Sequence, residues 1–388
     1  MEVKLIRAGF LRIIPLLFAL CLLLAADVLA LESKHQVVPQ SEFDSSKALV
    51  DSTGQGFTEL RTKTRIIRKP GFFSGSFSLA EAYDDNILQY SAADLQLLEN
   101  NLEPTKFAIR TPGDFRTSFD LRTDLNPALF HDNRTRLRFR FGTDFFARSG
   151  VKNYQLYGVE AKQNFWRENY FQAGFRYIPH FYLRNLLFFD PALGLHRYAE
   201  AIFSKQSYLL ELGRRFSSRL AVSLGSRYEK TDYNSEFDER DSEANSFYGD
   251  MKLDLSKQVA VGFEYAHKES RARGRDMALA EDVSNRTDQV SLRLDLNLGR
   301  ALGIPLSFAP SAAYEYQKYT TPKTPDRYHY GRKDNYYRMT SELSCRWSRH
   351  FDQFLRYSYE KNKTNLQGTL DVGDYQAHRI SSGVTCLF

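Results

Sequence analysis

From Tyr337 to Trp347 two kinds of side chain take strict turns. Tyr337, Met339, Ser341, Leu343, Cys345 and Trp347 alternate with Arg338, Thr340, Glu342, Ser344 and Arg346. Successive side chains of a strand point to opposite faces, so this stretch reads as a strand with one apolar and one charged face. The pattern returns along the chain. Val290, Leu292, Leu294, Leu296 and Leu298 alternate with Ser291, Arg293, Asp295 and Asn297, and Phe115, Phe119 and Leu121 with Arg116, Asp120 and Arg122. Leu137, Phe139 and Phe141 alternate with Arg136, Arg138 and Arg140. Helical periodicity is scarce.

Such strands must bury their apolar face, either in a two-sheet sandwich or against lipid. The runs reach ten residues or more, the length that crosses a tilted bilayer, whereas sandwich strands are nearer five or six. Tyr, Phe and Trp gather at the strand ends, as interface girdles do. The connections alternate in length: 217–219, 256–258, 299–303 and 348–350 are tight, while 231–245, 270–286, 319–335 and 362–375 are long and polar. The expectation is an all-β protein, a single transmembrane antiparallel barrel of about 14 strands, with 12 to 16 allowed. Strands are expected near 72–83, 113–125, 134–147, 154–164, 169–181, 198–216, 219–230, 246–255, 258–269, 287–298, 304–318, 336–347, 351–361 and 376–388. The even count puts both barrel ends on the short-turn, periplasmic side. The stretch 182–206 is apolar but irregular and fits the pattern least.

Composition agrees. A mean hydropathy of −0.48 is too polar for a helical membrane protein, yet aromatics make up 14% of the 388 residues. Basic and acidic residues number 53 and 47, so no single-sign field points to nucleic acid. Lys4, Arg7 and Arg12 precede an apolar run from Ile13 to Ala26, and Val28-Leu29-Ala30 offers a small-residue cleavage site. That is the layout of a secretory signal peptide, residues 1–30. Its removal leaves a net charge of +5, because it carries three basic residues and two acidic ones. Residues 31–71 are polar and then basic; their composition favours a disordered periplasmic leader over a plug folded into the lumen. Residues 72–388 are the barrel. Two cysteines remain after cleavage, Cys345 and Cys386, and read as separate small apolar residues.

The final alternation sets Ile380, Ser382, Val384, Cys386 and Phe388 on one face. A closing strand that ends on an aromatic residue resembles the address read by the barrel assembly machinery, with Phe388 as its terminal residue. Near the other end, Tyr83, Asp84, Asp85, Asn86 and Ile87 follow a serine- and glycine-rich strand. This first-hairpin stretch resembles that of the outer-membrane β-barrel porins associated with exopolysaccharide export, and the likeness in organisation covers roughly 70–388. It implies a barrel in the outer membrane of a Gram-negative-type envelope. Its partners would be outer-membrane lipids, lipopolysaccharide, the assembly machinery and polysaccharide export proteins. It brings no catalytic residues. Barrels of surface-lipoprotein assembly modifiers start similarly but carry helical repeats for which this chain has no room.

The charged faces would line the lumen, either as a hydrated channel attracting anionic solutes or as Arg–carboxylate ladders bracing the wall. Arg136, Arg138 and Arg140, beside Arg116 and Arg122 on the next strand, form a basic stripe suited to anionic cargo. Asp84, Asp85 and Asn86 are oxygen donors for a cation, though an Asx turn explains them better. The acidic stretch 236–245 reads as a solvated outer loop rather than a cation site. The histidines scatter over turns and strand ends without a nucleophile motif, so no enzyme, metal or cofactor is expected. The leading function is a porin-like channel or export conduit for hydrophilic solutes, polysaccharide among them. The alternatives are a non-conducting structural or interaction barrel and a lipid-modifying barrel enzyme.

Overall fold

The computed structural model describes residues 72–127, 135–165, 168–190, 194–277, 280–301, 303–365 and 373–388. The signal peptide expected at 1–30, the segment 31–71 and two of the histidines, His35 and His131, lie outside them.

Among the described residues fourteen strands form one closed antiparallel barrel, each paired with its sequence neighbours and the first with the last. They are β1 (Phe73–Asp84), β2 (Asp114–Leu125), β3 (Thr135–Phe146), β4 (Tyr154–Phe165) and β5 (Asn169–Asp190). Then come β6 (Leu195–Arg215), β7 (Leu220–Tyr233), β8 (Ser242–Asp254), β9 (Val259–Ala272) and β10 (Asn285–Ala301). The last four are β11 (Ile304–Tyr319), β12 (Lys333–Ser348), β13 (Phe351–Thr364) and β14 (Tyr375–Leu387). The strand count and fold class are those the alternation predicts.

The outward face is apolar. Phe115, Leu212, Leu224, Phe247, Met339 and Ile380 each leave more than half of their surface uncovered. So continuous an exposed apolar belt is incompatible with water and marks the lipid-facing wall. Its upper edge is drawn by tyrosines whose hydroxyls reach toward the long-loop end. Tyr157 bonds Gln155 at 2.7 Å, Tyr208 bonds Gln206 at 3.2 Å, Tyr265 bonds Asp288 at 2.8 Å and Tyr314 bonds Asn335 at 2.7 Å. Phe73, Phe216, Trp347 and Phe388 lie exposed at the short-turn end. From Tyr337 to Trp347 the chain advances about 34 Å along β12. At a tilt near 40° this is a band about 26 Å tall, the height of a transmembrane barrel's apolar belt.

Several strands run past this belt. The loops expected at 231–245, 270–286, 319–335 and 362–375 shrink to 234–241, 273–284, 320–332 and 365–374. The largest correction is at 182–197, which falls outside the strands expected from the sequence. Its residues 182–190 and 195–197 are the upper parts of β5 and β6, strands of 22 and 21 residues, about 70 Å of chain per strand. Apolar-out alternation stops where lipid stops, but ladder hydrogen bonding does not, so patterning alone ends each strand too soon. The hairpin bends at register shifts between Ile178 and Phe181 and between Tyr182 and Arg184.

Closure rests on the β1–β14 seam, which pairs Ser76 with Leu387 through to Asp84 with Arg379. Below it, Gly75 and Phe388 exchange backbone hydrogen bonds of 2.8 and 3.0 Å. The Phe388 ring lies over Gly75, where a Cβ would come within 2.5 Å of it, and packs on Phe73 at 6.0 Å between centroids. Cys345 and Cys386 are both free; they lie on β12 and β14, with β13 between them.

Replacing Phe388 by Ala should lower the temperature at which the barrel loses its compact form in semi-native electrophoresis. An aromatic pair such as Phe73 with Phe388 is worth about 1 kcal/mol beyond its burial. Gly75→Leu should lower it further, since the new side chain meets the Arg122 carbonyl as well as the ring. Unchanged transitions in both variants would show that the seam does not depend on this packing.

Candidate functional site in the barrel lumen

Strand parity sends all five arginines of the stripe into the lumen, but register splits them. Arg122 stands directly opposite Arg140, and Asp124 opposite Arg138. These residues and Arg136 lie toward the short-turn end. Arg116 is six residues nearer the long loops, about 20 Å along the strand.

Carboxylates brace most of the stripe. Arg138 makes two bonds to Asp124, at 2.7 and 2.9 Å. Arg116 meets Asp144 at 3.3 Å. Asp120 lies between Arg122 at 2.5 Å and Arg140 at 2.6 Å. Two guanidinium groups thus meet on one carboxylate. Across the unobstructed Gly158 the row continues to Arg176, paired with Glu160 at 3.4 Å.

A polar node that the sequence does not reveal sits next along the wall. Tyr170 and Tyr248 donate to the two oxygens of Glu211, at 2.6 and 2.7 Å. Their rings lie flat over Gly213 and Gly225, where a Cβ would fall 2.1 and 2.2 Å from ring carbon. The signal in the sequence is a tyrosine at lumenal parity facing a glycine across the ladder, and it is legible only once register is known.

The first-hairpin motif latches the top of the seam. Asp84 takes Arg379 at 2.6 Å and the Asn86 amide at 3.0 Å. The Asp85 carboxylate accepts the His378 amide at 2.7 Å, and its own amide donates back to the His378 carbonyl at 3.1 Å. Asn86 donates to the carbonyls of Tyr90 and Gln376 and accepts the Tyr90 amide. Burial raises the Asp85 carboxyl against the lowering effect of the His378 amide. Tyr83 packs on Phe115 at 5.0 Å, and Ile87 is buried. The Asx-turn reading therefore describes the motif.

Ile87 lies in a folded loop, 85–113, that contains the helix α1 (Ala92–Glu99). Ser91 caps it by accepting the Asp94 amide, and the buried Asp94 binds Lys106 at 2.7 Å. Leu88, Tyr90, Leu97, Phe107 and Ile109 close on Tyr182 of the long hairpin. Arg184 stacks on Tyr90 at 4.8 Å and donates to the Leu88 carbonyl. Gln89 reaches Glu360 on β13 at 3.4 Å. The loop therefore spans from β13 to β5 across the long-loop mouth. The other long loops interlock. Lys323 donates to the carbonyls of Gly274, Met277 and Ala280, Arg240 binds Glu281 at 2.5 Å, and Arg273 binds Asp238 at 2.8 Å. Asp238 and Glu281 are thus committed to ion pairs. Burial would raise the Asp326 carboxyl, but bonds from His329 and the Asp282 amide hold it below the ordinary range.

Accessibility along the lumen follows this capping. Near the loops Asp334, Asn362, Gln317 and Glu360 expose 0 to 3% of their surface. Near the short turns the side chains of Arg346 and Asp352 expose 31% and 28%. Among the described residues, these lumenal side chains are accessible near the short turns and packed near the long loops.

Among the described residues, no group of three His, Cys, Asp or Glu side chains is arranged to hold a metal ion. His378 meets Tyr357 and the Asp85 loop, His329 meets Asp326, and His267 meets Asp288.

No family model and no curated protein matches the sequence. The chain is similar in fold to solved membrane barrels. One is an anion-selective porin from Comamonas acidovorans (11% identity, TM-score 0.42, 81% of this chain and 98% of that one). Others are a bacterial polysaccharide outer membrane secretin (12%, 0.43, 80% and 98%) and OmpT of Vibrio cholerae (10%, 0.45, 81% and 96%). What the chain itself shows is a closed antiparallel barrel of fourteen strands among the described residues.

Lys152, in the turn between β3 and β4, gives a pH test of the cap. It is buried over the Phe181 ring at 5.3 Å. Burial, with Arg184, Arg116 and Arg379 nearby and only Asp84 opposing, pushes its pKa down to about 7. The unfolded value is near 10.4. The unfolded chain binds the extra proton between these two values, so stability contributed here rises with pH over that window and is lost as pH falls to about 7. Hydrogen exchange of residues 85–113 should therefore quicken from pH 10 to pH 7, after correction for intrinsic rates, and Lys152→Met should remove the trend. The same trend in both proteins would refute the assignment.

Proposed function

We propose that this protein is an outer-membrane channel for hydrophilic solutes that favours anions and has a capped outer mouth. One observation carries the reading: Arg122 and Arg140 face each other in the lumen and both engage Asp120, within a lumenal group in which Arg122, Arg136, Arg138, Arg140 and Arg176 outnumber Asp120, Asp124 and Glu160. A fully neutralised wall would brace the barrel without selecting charge. Here the formal charge of that group is positive toward the short-turn end, where an entering solute first meets the wall. On this reading the short-turn end faces the periplasm, and the solutes include anionic saccharides from an export route. Outer-membrane lipid, lipopolysaccharide and the assembly machinery, through Phe388, are the proposed partners.

A second reading has specific support. The packed long-loop end, with Asp334 and Asn362 almost fully covered, fits a barrel that does not conduct at rest.

Single-channel recording in planar bilayers separates the two, using residues 31–388 and, in parallel, 72–388. Steady anion-selective current from the longer form is the expected result. Arg122→Gln together with Arg140→Gln should then shift the reversal potential toward cations, because Asp120 is left without its partners. Current only from the shorter form would indicate that 31–71 closes the lumen. Silence in both, with insertion confirmed, would favour the non-conducting barrel.

A further inference from the structure

Cations on both faces of the wall are met by carboxylates. In the lumen Lys205 and Lys268 meet on Glu229, at 2.9 and 3.2 Å. On the outward face above the lipid belt, Lys230 binds Asp232 at 2.8 Å, Arg271 binds Asp276 at 2.9 Å and Arg286 binds Glu269 at 2.9 Å. One part of that outward face departs from this rule.

On β11, β12 and β13 the outward parity continues past Tyr314, Tyr337 and Tyr359 through Tyr316, Lys318, Asn335, Lys333, Lys361 and Lys363. Four of these six are lysines and none is acidic. Lys318 stands directly opposite Lys333, Lys363 opposite Asn335 and Lys361 opposite Tyr337. Lys318, Lys333 and Lys363 are exposed, and among the described residues none of the four side chains forms an ion pair. Like charges directly opposed across a ladder are destabilising, and an anion lying across them removes that cost.

The height of the patch selects the anion. Tyr314 and Tyr337, 5.3 Å apart between ring centroids, belong to the tyrosine edge of the belt. Lys361 shares the row of Tyr337, and Lys318 and Lys333 stand four residues higher, about 13 Å of chain and about 10 Å in height at a barrel strand's tilt. Lysine stems are long enough to lay their ammonium groups down into the headgroup layer just outside the hydrocarbon. Aromatic rings below and ammonium groups above suit a ligand whose phosphates are joined to acyl chains. A soluble polyanion would use the lysines alone.

We propose that the outward face of β11, β12 and β13 holds the phosphorylated headgroup of an outer-leaflet glycolipid, with its phosphates on Lys318, Lys333 and Lys363 and its acyl chains along Tyr314 and Tyr337. The inference rests on the outer-membrane placement in the channel reading and is independent of conduction.

The test is native mass spectrometry of the refolded protein (31–388) in detergent with lipid A bearing both phosphates, the same lipid without phosphates, and the deacylated diphosphoryl disaccharide. Diphosphoryl lipid A should bind on the order of tenfold more tightly than either of the others. Lys318→Gln together with Lys333→Gln should lose most of that preference while leaving heat-modifiable mobility unchanged, and Lys318→Arg with Lys333→Arg should keep it. Lys230→Gln with Arg271→Gln removes the same charge from the ion-paired face and should leave the preference intact. If the Lys318 and Lys333 glutamine variant does not fold, Lys361→Gln with Lys363→Gln decides. Equal binding with and without phosphates, an undiminished preference in the lysine variant, or an equal loss in the Lys230 and Arg271 variant would overturn the proposal. Binding of the deacylated disaccharide as tightly as the lipid would overturn the lipid assignment. Anion-selective conductance without a lipid preference would sink this inference and leave the channel reading standing, whereas a lipid preference without conductance would do the reverse.

Discussion

The structure depends on one requirement: in hydrocarbon no backbone N–H or C=O can be left without a partner. A sheet meets it only by closing on itself, so the pairing of β1 with β14 conditions everything else. The seam is secured at both ends by side chains. At the short turns Phe388 lies over Gly75, and at the long loops Asp84, Asp85 and Asn86 bind the β14 backbone and Arg379. Two residues in one strand, a bare glycine and an aspartate, are what the other edge needs at its two ends.

Closure also sorts the charges. Once the apolar face meets lipid, the opposite face of every strand is forced into the lumen, where a carboxylate and a guanidinium on neighbouring strands stand within pairing distance. That explains why Asp124 finds Arg138 and Glu342 finds Arg356. The informative places are those where pairing is uneven, as at Asp120 between two arginines and Glu229 between two lysines. Both lie on strands whose alternation is regular, so the excess charge reflects residue choice and not a break in the sheet.

Much of this was legible in the sequence. Period two gave the strands, their number and the lumenal parity of Arg122 and Arg140, because a bilayer enforces strict alternation over about ten residues. What lay beyond the bilayer was not legible. Just above the belt, Leu183 and Leu186 belong to the cluster around Phe237 while Tyr182 belongs to that of Leu88, so successive residues are buried on both sides and show no amphipathic period. Helix α1 has only eight residues and is held by contacts with residues far along the chain. Lys205 and Lys268 sit 63 positions apart and meet on Glu229 only through the registers of β6, β7, β8 and β9. The basic stripe was found by parity, but its division between Arg116 and the rest needed register too.

The first long loop leaves the wall at the seam itself. Its opening residues, Asp85 and Asn86, are the ones that clasp β14, and its far contacts are with Glu360 on β13 and Arg184 on β5. This imposes an order on biogenesis. While the two edge strands are still apart, the loop lacks its anchor on β14 and half of the surface it rests on. The contacts that hold the loop to β14 can form only once the ring has closed, so this part of the cap follows closure.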